Sequence, residues 1–309
     1  MIYVTVPGDT VSSISRQSGV PVWKIIYDNQ LGEEGKLTVG QALLLLKPQE
    51  SAEIREDLYV TGYAYPFIEP YVLEMAFPAL NELLVFSYGF TFEGELVPPI
   101  QDETWMIQLA WENGIEPMLV LTPFTQGVFN NQLIQTLVEE ESVRENVITN
   151  LLKVVEEKGY VGVDVDFEYV RAQNREGYAE FVGELRAAMN EKGYRVSVAL
   201  APKTSSDQKG LLYEGIDYAL LGEQADRLFL MTYEWGYSYG PPMAVAPLTK
   251  VRQVVEYALT QIPAEKLLMG IPNYGYNWTL PYEKGYVVFF RSVISAFNIV
   301  YTLALGCDF

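Results

Sequence analysis

The chain of 309 residues contains no histidine and one cysteine. Without an imidazole group, Ser-His-Asp and Cys-His catalysis are excluded, and the commonest zinc ligand is missing. Cys307, near the end of the chain, has no second cysteine with which to form an internal disulfide. No apolar run reaches the 18 residues that would predict a membrane-spanning helix. The opening residues, MIYVTVPGDT, also lack the basic and apolar regions of a signal peptide, which predicts a protein made in the cytoplasm without one.

Basic residues are also scarce, at 21 against 40 acidic ones, and the net charge is −19. Such a chain is a poor partner for nucleic acid or for an anionic membrane surface, because both repel it. No GxGxxG or P-loop motif follows any predicted strand, so we expect no nucleotide cofactor. The sequence thus gives no reason to expect any cofactor.

Carboxylates, in contrast, are concentrated in one unusual place. Residues 159–170 read GYVGVDVDFEYV, in which Asp164, Asp166 and Glu168 alternate with apolar residues. This period of two predicts a strand that carries all three acids on one face. Like charges this close raise each other's pKa, a cost that an enzyme accepts when it needs one protonated and one ionised carboxyl group together.

The region from residue 58 onward alternates short apolar strands with helical stretches, which predicts a parallel (β/α)8 barrel of the TIM type. The predicted strands are Leu58–Tyr63, Leu83–Ser87, Pro117–Thr122, Tyr160–Glu168, Arg195–Leu200, Arg227–Thr232 and Leu267–Pro272. The predicted helices are Thr104–Asn113, Asn130–Lys158, Arg175–Lys192 and Leu248–Gln261.

Active sites of such barrels lie at the carboxyl ends of the strands. The residues at these ends that we expect to contact a substrate are Tyr63, Tyr233, Glu234, Trp235, Asn273, Tyr274 and Trp278. Each of the two tryptophans can either stack on a sugar or fill a loop. Glu234 can either assist Tyr233 or pair with a neighbouring cation.

Residues 1–48 form a separate strand–helix–helix–strand pattern, and residues 49–57 are predicted to be a linker. The segments YVTVPGDTVSSIS and LTVGQALLLL, with Asp28-Asn29 between them, resemble a LysM module. The resemblance implies binding of glycans that contain N-acetylglucosamine, which are peptidoglycan and chitin. Residues 58–309 are then the barrel.

The segment GVDVDFE is similar to the DGxDxDxE signature of family 18 glycoside hydrolases, which are chitinase-like (β/α)8 enzymes. The resemblance implies that Glu168 protonates the glycosidic oxygen, that Asp166 orients the substrate acetamide, and that Asp164 supports Asp166. Met231-Thr232-Tyr233-Glu234 resembles the family's M-x-Y-D segment, which gives Tyr233 a hydrogen bond to the acetamide. Glu234 stands where the family usually has aspartate.

The segment MGIPNYG at residues 269–275 resembles the family's G-x-P-x-Y-G motif. Together with MTYEWGYSYGPPMAVAP, it is similar to a subgroup of LysM-bearing hydrolases that act on the spore-cortex peptidoglycan of spore-forming bacteria. That resemblance implies a location at the spore coat or cortex or at the cell wall.

Two features depart from the family pattern. Val161 replaces the first aspartate of the signature, and its opposite parity predicts that it lies off the inward face, low on the strand. After residue 285 the chain no longer resembles the family, which predicts a truncated chain and a barrel incomplete at its C-terminus. Asn298–Leu305 is a candidate eighth strand, although its polarity pattern does not indicate one.

The sequence therefore predicts a glycosidase that cleaves β-1,4 bonds at N-acetylglucosamine in spore-cortex peptidoglycan, with retention and with the substrate's own acetamide as nucleophile. The alternatives are a chitinase and a non-catalytic protein that binds peptidoglycan or chitin. A calcium or magnesium site is disfavoured, because neighbouring positions on one strand rarely supply six to eight oxygen ligands. We therefore predict no metal.

Overall fold

The computed structural model describes residues 2–29, 31, 35–45, 58–125, 128–278, 284–289 and 300–304. The chain divides into two compact units, Met1–Asp57 and Leu58–Phe309. The predicted linker at residues 49–57, like Cys307, lies outside the described residues.

The small unit has the order strand, helix, helix, strand: β1 Ile2–Val4, α1 Val11–Ser18, α2 Val22–Asp28 and β2 Ala42–Leu44. Thr10 caps α1, since its side chain accepts a hydrogen bond from the Ser13 amide at 3.0 Å. β1 and β2 pair antiparallel, and both helices pack on the same small core, which includes Ile14 and Ile25.

The large unit is built around seven parallel strands, each at a position where the sequence predicts one. They are β3 Val60–Ala64, β4 Glu82–Phe90, β6 Glu116–Leu121, β9 Gly162–Val165, β10 Arg195–Leu200, β11 Arg227–Leu230 and β12 Leu267–Pro272. Three antiparallel additions were not predicted: β5 Leu96–Val97, which pairs with β4, the hairpin β7 Phe124–Thr125 with β8 Val128–Phe129, and the hairpin β13 Tyr274–Trp278 with β14 Gly285–Phe289.

An eighth strand, β15 Val300–Ala304, lies between β12 and β3 and pairs with both of them antiparallel. Because β3 also pairs with β4, the eight strands form a closed ring. The sequence predicts a barrel that is incomplete at its C-terminal end, and at that end the described strands depart from the regular (β/α)8 pattern. The departure is the reversed direction of β15. This strand lies within Asn298–Leu305, the candidate eighth strand for which the polarity pattern gave no indication.

Helices surround the ring on the outside. They are α3 Pro70–Ala76, α4 Thr104–Glu112, α5 Asn131–Glu139, α6 Glu141–Lys158, α7 Arg175–Glu191, α8 Tyr218–Gln224 and α9 Leu248–Leu259. The predicted helix Asn130–Lys158 is two helices, which meet at Glu140, whose backbone is extended. The largest core cluster fills the layer between these helices and the strands, with Leu121, Val165 and Phe181 among its fully buried members.

A second, smaller core cluster fills the inside of the ring and includes Leu84, Val120 and Phe229. Val161, directly before β9, packs against this inner cluster. The parity argument for Val161 was therefore wrong. Strand alternation starts only at Gly162, so it does not determine the side on which the preceding residue lies.

The amino ends of the strands hold an ion cluster centred on Glu82, which is 2% exposed. Its carboxylate accepts from Arg195 at 2.9 Å and from the Tyr59 hydroxyl at 3.1 Å, and Arg227 lies 3.7 Å away. Burial still raises the pKa of Glu82, although both arginines oppose the shift. Because this face of a barrel serves stability, we assign the cluster a structural role.

The reversed strand can be tested through its backbone. Proline at Thr302 removes an amide hydrogen and fixes φ in the middle of a strand with neighbours on both sides. We expect Thr302→Pro to lower the free energy of unfolding by about 2 kcal/mol or more, measured by urea denaturation. Thr302→Val keeps the amide and serves as the control. Equal stability of the two variants would contradict ring closure by β15.

Candidate active site

The three acids of the signature leave β9 in sequence at the carboxyl end of the ring. Asp164 belongs to β9, whereas Asp166 and Glu168 follow the strand as it enters the next loop. Gly162 allows β9 to lie close to β10, because a Cβ atom at that position would be 2.1 Å from the carbonyl oxygen of Arg195 on β10. The glycine of the signature is therefore required for close pairing of β9 with β10.

Asp164 is fully buried and has hydroxyl partners on both oxygens. Tyr63 donates to Oδ2 at 2.7 Å, and Ser197 on β10 donates to Oδ1. Burial raises the pKa of Asp164 to about 6, and the two hydroxyl groups oppose the shift. Asp164 is thus held in one orientation by side chains from two other strands of the ring, Tyr63 of β3 and Ser197 of β10.

Asp166 is 7% exposed, and its Oδ1 has no hydrogen-bond partner among the described residues. Burial raises its pKa well above the ordinary value, and the neighbouring charges of Glu168 and Asp164 raise it further. No hydrogen bond joins Asp164 to Asp166 in the described structure. They interact through charge, while Asp166 has an oxygen free to accept a hydrogen bond from a ligand.

Glu168 is half-buried where the ring opens. Burial raises its pKa, and the charge of Glu234 raises it further. Glu234 is held by two tyrosines of β13, because the hydroxyl groups of Tyr274 and Tyr276 both donate to its carboxylate, that of Tyr276 at 2.8 Å. The carboxylate whose charge adds to the raised pKa of Glu168 is therefore itself fixed in place. One of the two predicted roles of Glu234 was pairing with a neighbouring cation. No lysine or arginine among the described residues forms such a pair with it.

Tyr233 follows β11 and packs against the inner core cluster. A Cβ atom at Gly270 on β12 would lie 2.8 Å from the Tyr233 ring, so the glycine of the MGIPNYG segment makes room for this tyrosine. The residues directly after Glu168 and Tyr233, namely Tyr169 and Glu234, have φ values of 60° and 68°. Non-glycine residues rarely adopt this left-handed conformation, which often occurs at functional sites.

These residues surround an open cleft of about 760 Å³ at the carboxyl end of the ring. The predicted site residues that line it are Tyr63, Asp166, Glu168, Tyr233 and Tyr274. Aromatic and apolar side chains form the rest of the wall: Tyr65, Phe86, Phe124, Phe129, Ala199, Phe229 and Met231. The cleft thus combines two adjacent carboxyl groups, tyrosine hydroxyl groups and aromatic surfaces, which is the composition expected of a site for sugars.

Glu234 is not among the residues that line the cleft, and three other predicted contacts also lie outside its wall. Trp235 packs against the large core cluster, and Trp278, at the end of β13, lies beside Tyr276 with 5.9 Å between ring centres. Asn273 is half-buried between β12 and Tyr274. The positions of Trp235 and Trp278 favour the packing role over sugar stacking. Substrate contact by any of the three stays a prediction.

The sequence interpretation did not include two polar partners in the site. Ser197 interrupts the apolar strand RVSVAL and lies opposite Asp164 in the parallel register, so the inward parity of β10 could have indicated it. Tyr276 follows Tyr274 at a spacing of two in β13. That strand was not predicted, and the shared face of the two tyrosines was therefore missed.

Within the described part of the chain, no group of three or more acidic or cysteine side chains is arranged to hold a metal ion. No helix in the same part has the length and apolar character needed to cross a bilayer.

This combination of barrel and site defines a family. The model of the glycosyl hydrolases family 18 matches residues 127–296, more than half of the chain, and the chain belongs to that family. The model of the LysM domain matches residues 3–45.

Among individual proteins, the chain is 41% identical over 211 residues to a cortical fragment-lytic enzyme of Bacillus subtilis, over 68% of this chain and 48% of that protein. A putative sporulation-specific glycosylase of the same organism, YdhD, is 28% identical over 97% of this chain and 69% of its own length. The crystal structure of the Bacillus cereus spore cortex-lytic enzyme SleL superposes with a TM-score of 0.72 and 28% identity, covering 98% of this chain and 76% of that one. The chain thus spans about half of the first of these relatives.

The burial of Asp164 predicts a pH-dependent stability. A carboxyl group with a pKa of about 6 in the folded chain and 3.8 when unfolded stabilises the fold below pH 4, and this contribution is lost as the pH rises through 6. Asparagine stays neutral at every pH. The free energy of unfolding of Asp164→Asn should therefore rise by about 3 kcal/mol relative to that of the parent between pH 4 and pH 7, measured by urea denaturation. Glu145→Gln, on the exposed side of α6, removes the same charge and is the control. A difference between variant and parent that does not change with pH would contradict the buried-acid description.

Proposed function

We propose that the chain is a glycosidase that hydrolyses β-1,4 bonds at N-acetylglucosamine in peptidoglycan, with retention and with participation of the substrate's acetamide. The observation that carries this proposal is Asp166, which is buried in the cleft wall beside Glu168 and Tyr233 and has one oxygen without a partner. Buried carboxylate oxygens are normally satisfied, so an unpaired one in a cleft suggests a ligand that donates to it. The N–H of an acetamide group is such a donor.

In the first step Glu168, whose pKa is raised by burial and by the charge of Glu234, gives its proton to the glycosidic oxygen. The bond from C1 to that oxygen breaks, and the leaving sugar takes the electron pair and the proton. The carbonyl oxygen of the acetamide attacks C1 and forms an oxazolinium ring. Asp166 accepts a hydrogen bond from the acetamide N–H on its unpaired Oδ1, which supports the ring as its positive charge develops. Tyr233 donates a hydrogen bond to the acetamide and so holds it for the attack.

In the second step a water molecule attacks C1 from the side that the leaving sugar has vacated. Glu168, now ionised, takes the proton from this water, and the oxazolinium ring opens back to the acetamide. Two inversions at C1 give net retention. Asp164, fixed by Tyr63 and Ser197, contacts no substrate in this scheme. We assign it a positioning role, because its charge raises the pKa of Asp166 from behind.

The acids of this site lie along one strand and the loop that follows it. A retaining glycosidase with a carboxylate nucleophile places two carboxyl groups about 5 Å apart on either side of the sugar. Here Asp166 and Glu168 leave β9 together, and Glu234, the further acid near Glu168, is held by Tyr274 and Tyr276. This arrangement favours the acetamide as the nucleophile.

The proposed substrate is the peptidoglycan of the spore cortex, and the proposed location is the spore coat or cortex or the cell wall. Both follow from relatives whose names refer to the spore cortex and to sporulation. The LysM unit is proposed to bind the same class of glycan. Chitin shares the N-acetylglucosamine unit and is the alternative substrate. A non-catalytic glycan-binding protein is the alternative from another class, but a buried acid with a raised pKa in the cleft favours catalysis.

The test is incubation of the chain with spore cortex fragments and with chitin oligomers, followed by separation of the products. We expect Glu168→Gln to lower the rate at least about a hundredfold, because the amide has no proton to donate. Glu214→Gln, a half-exposed acid paired with Lys209, removes the same charge and should leave the rate unchanged.

Three outcomes would contradict the proposal in different ways. Equal rates for Glu168→Gln and the parent exclude Glu168 as the acid. Products formed first as the α-anomer exclude retention. Binding of the glycans without any product supports the non-catalytic alternative.

A further inference from the structure

A second cavity, of about 720 Å³, lies at the amino end of the ring, opposite the cleft. Three neighbouring turns that lead from a helix into a strand form it: α4 to β6, α6 to β9 and α7 to β10. A glycine with positive φ lies in each turn, at Gly114, Gly159 and Gly193. We call this cavity the basal pocket. No residue lines both the basal pocket and the cleft, so the two are separate.

Two aromatic side chains at the rim give the basal pocket its apolar surface. Trp111, near the end of α4, is 49% exposed, and Tyr194, directly before β10, is half-buried. The indole N–H of Trp111 donates to the carbonyl oxygen of Gly159 at 2.8 Å, which holds the ring in place between two turns. An exposed aromatic ring that is already fixed can contact the apolar C–H face of a sugar with little further loss of side-chain entropy.

The polar groups of the basal pocket are an ion pair and a tyrosine hydroxyl. Arg195 donates to Oε2 of Glu116 at 2.6 Å and to the buried Glu82, behind the lining, at 2.9 Å. Within the described part of the chain, Oε1 of Glu116 and the hydroxyl of Tyr194 have no hydrogen-bond partner. Lys192 is exposed beside this segment and does not line the pocket. The lining therefore presents a fixed carboxylate with one oxygen open to a donor, and its one cation is already paired.

These features discriminate between classes of ligand. An ionised ligand of either sign meets a like charge, because Arg195 and Glu116 lie side by side. A purely apolar ligand would cover Glu116 and the Tyr194 hydroxyl without giving them a partner, which costs free energy. An uncharged sugar satisfies both requirements, since its hydroxyl groups donate to the carboxylate while its C–H face lies on an aromatic ring.

We propose that the basal pocket is a second, non-catalytic binding site for an uncharged sugar of a glycan, so that the barrel binds the polymer at both of its ends. Because the pocket and the cleft open at opposite ends of the ring, the sugar in the pocket belongs to a different segment of the polymer from the one at Glu168. This contact retains the chain on a network of strands between cleavage events. The inference rests on the proposed function only for the choice of a glycan as the polymer.

NMR signals of the tryptophan indoles test the proposal. The full chain carries Glu168→Gln, which prevents turnover, and ¹⁵N-labelled tryptophan, with Trp111→Phe used to assign the Trp111 signal. On titration with a tetramer of N-acetylglucosamine to about 10 mM, we expect the Trp111 indole signal to shift saturably with a Kd on the order of 1 mM. Trp105 belongs to the same helix but packs against the large core cluster, so its signal should stay in place.

Two variants locate the binding in the basal pocket. Tyr194→Ala removes the second ring, and Glu116→Ala removes the open carboxylate oxygen. Each should weaken the affinity read from the Trp111 signal by at least about fivefold. Leu259→Ala is the control and should leave the affinity unchanged, because Leu259 is 41% exposed at the end of α9, before another strand of the ring. An unmoved Trp105 signal shows that a variant is folded, and either pocket variant alone decides the test.

The inference and the proposed function fail in different ways. A Trp111 signal that does not move, or that moves together with the Trp105 signal, overturns the basal pocket as a sugar site, and so do equal affinities in the pocket variants and the control. None of these results affects hydrolysis in the cleft. If the Trp111 signal shifts as expected but the parent chain forms no product from any glycan, the proposed function fails and the inference stands, since binding needs no turnover.

Discussion

Closure of the barrel around β9, which carries Asp164 and leads directly into Asp166 and Glu168, is the constraint on which the site depends. Asp164, Asp166 and Glu168 follow one another at a spacing of two, and the closed ring buries the first completely and leaves the last half-buried. β9 has a neighbour on each side, β6 and β10. The ring is completed by β15, which pairs with both β12 and β3. Without that pairing, β3 and β12 would have free edges, and the wall that holds Tyr63 against Asp164 would be open.

The charges inside the ring are sorted along its axis. Glu82 at the amino end lies beside Arg195 and Arg227, as a buried acid in a structural position requires. At the carboxyl end, the charged neighbours that shift the pKa values of Asp166 and Glu168 are all acidic. Because the cations lie at one end, the pKa values of Asp166 and Glu168 at the other end are raised with no cation to oppose the shift. This difference separates the part of the barrel that stabilises the fold from the part that can donate a proton.

Much of this arrangement follows from local patterns in the sequence. The alternation of residues 163–168 and the spacing of seven apolar segments predict the barrel strands and the shared face of the acids. The pattern could not predict β13 and β14, because their register is set by their pairing with each other and not by alternation within either segment. Nor could it predict that β15 runs in reverse, since strand direction depends on the space left between β12 and β3. Ser197 and Tyr276 were missed for the same reason: their roles arise only when neighbouring strands come into register.

The central claim is that burial and neighbouring acids keep Glu168 protonated at a pH where an ordinary glutamate is ionised. The direct measurement is the titration of the Glu168 carboxyl carbon by ¹³C NMR in chain labelled at glutamate, with Glu168→Gln used to assign the signal. The account predicts a pKa above the ordinary glutamate value of 4.5. A midpoint at or below that value would contradict it, because Glu168 would then hold no proton to give to a glycosidic oxygen.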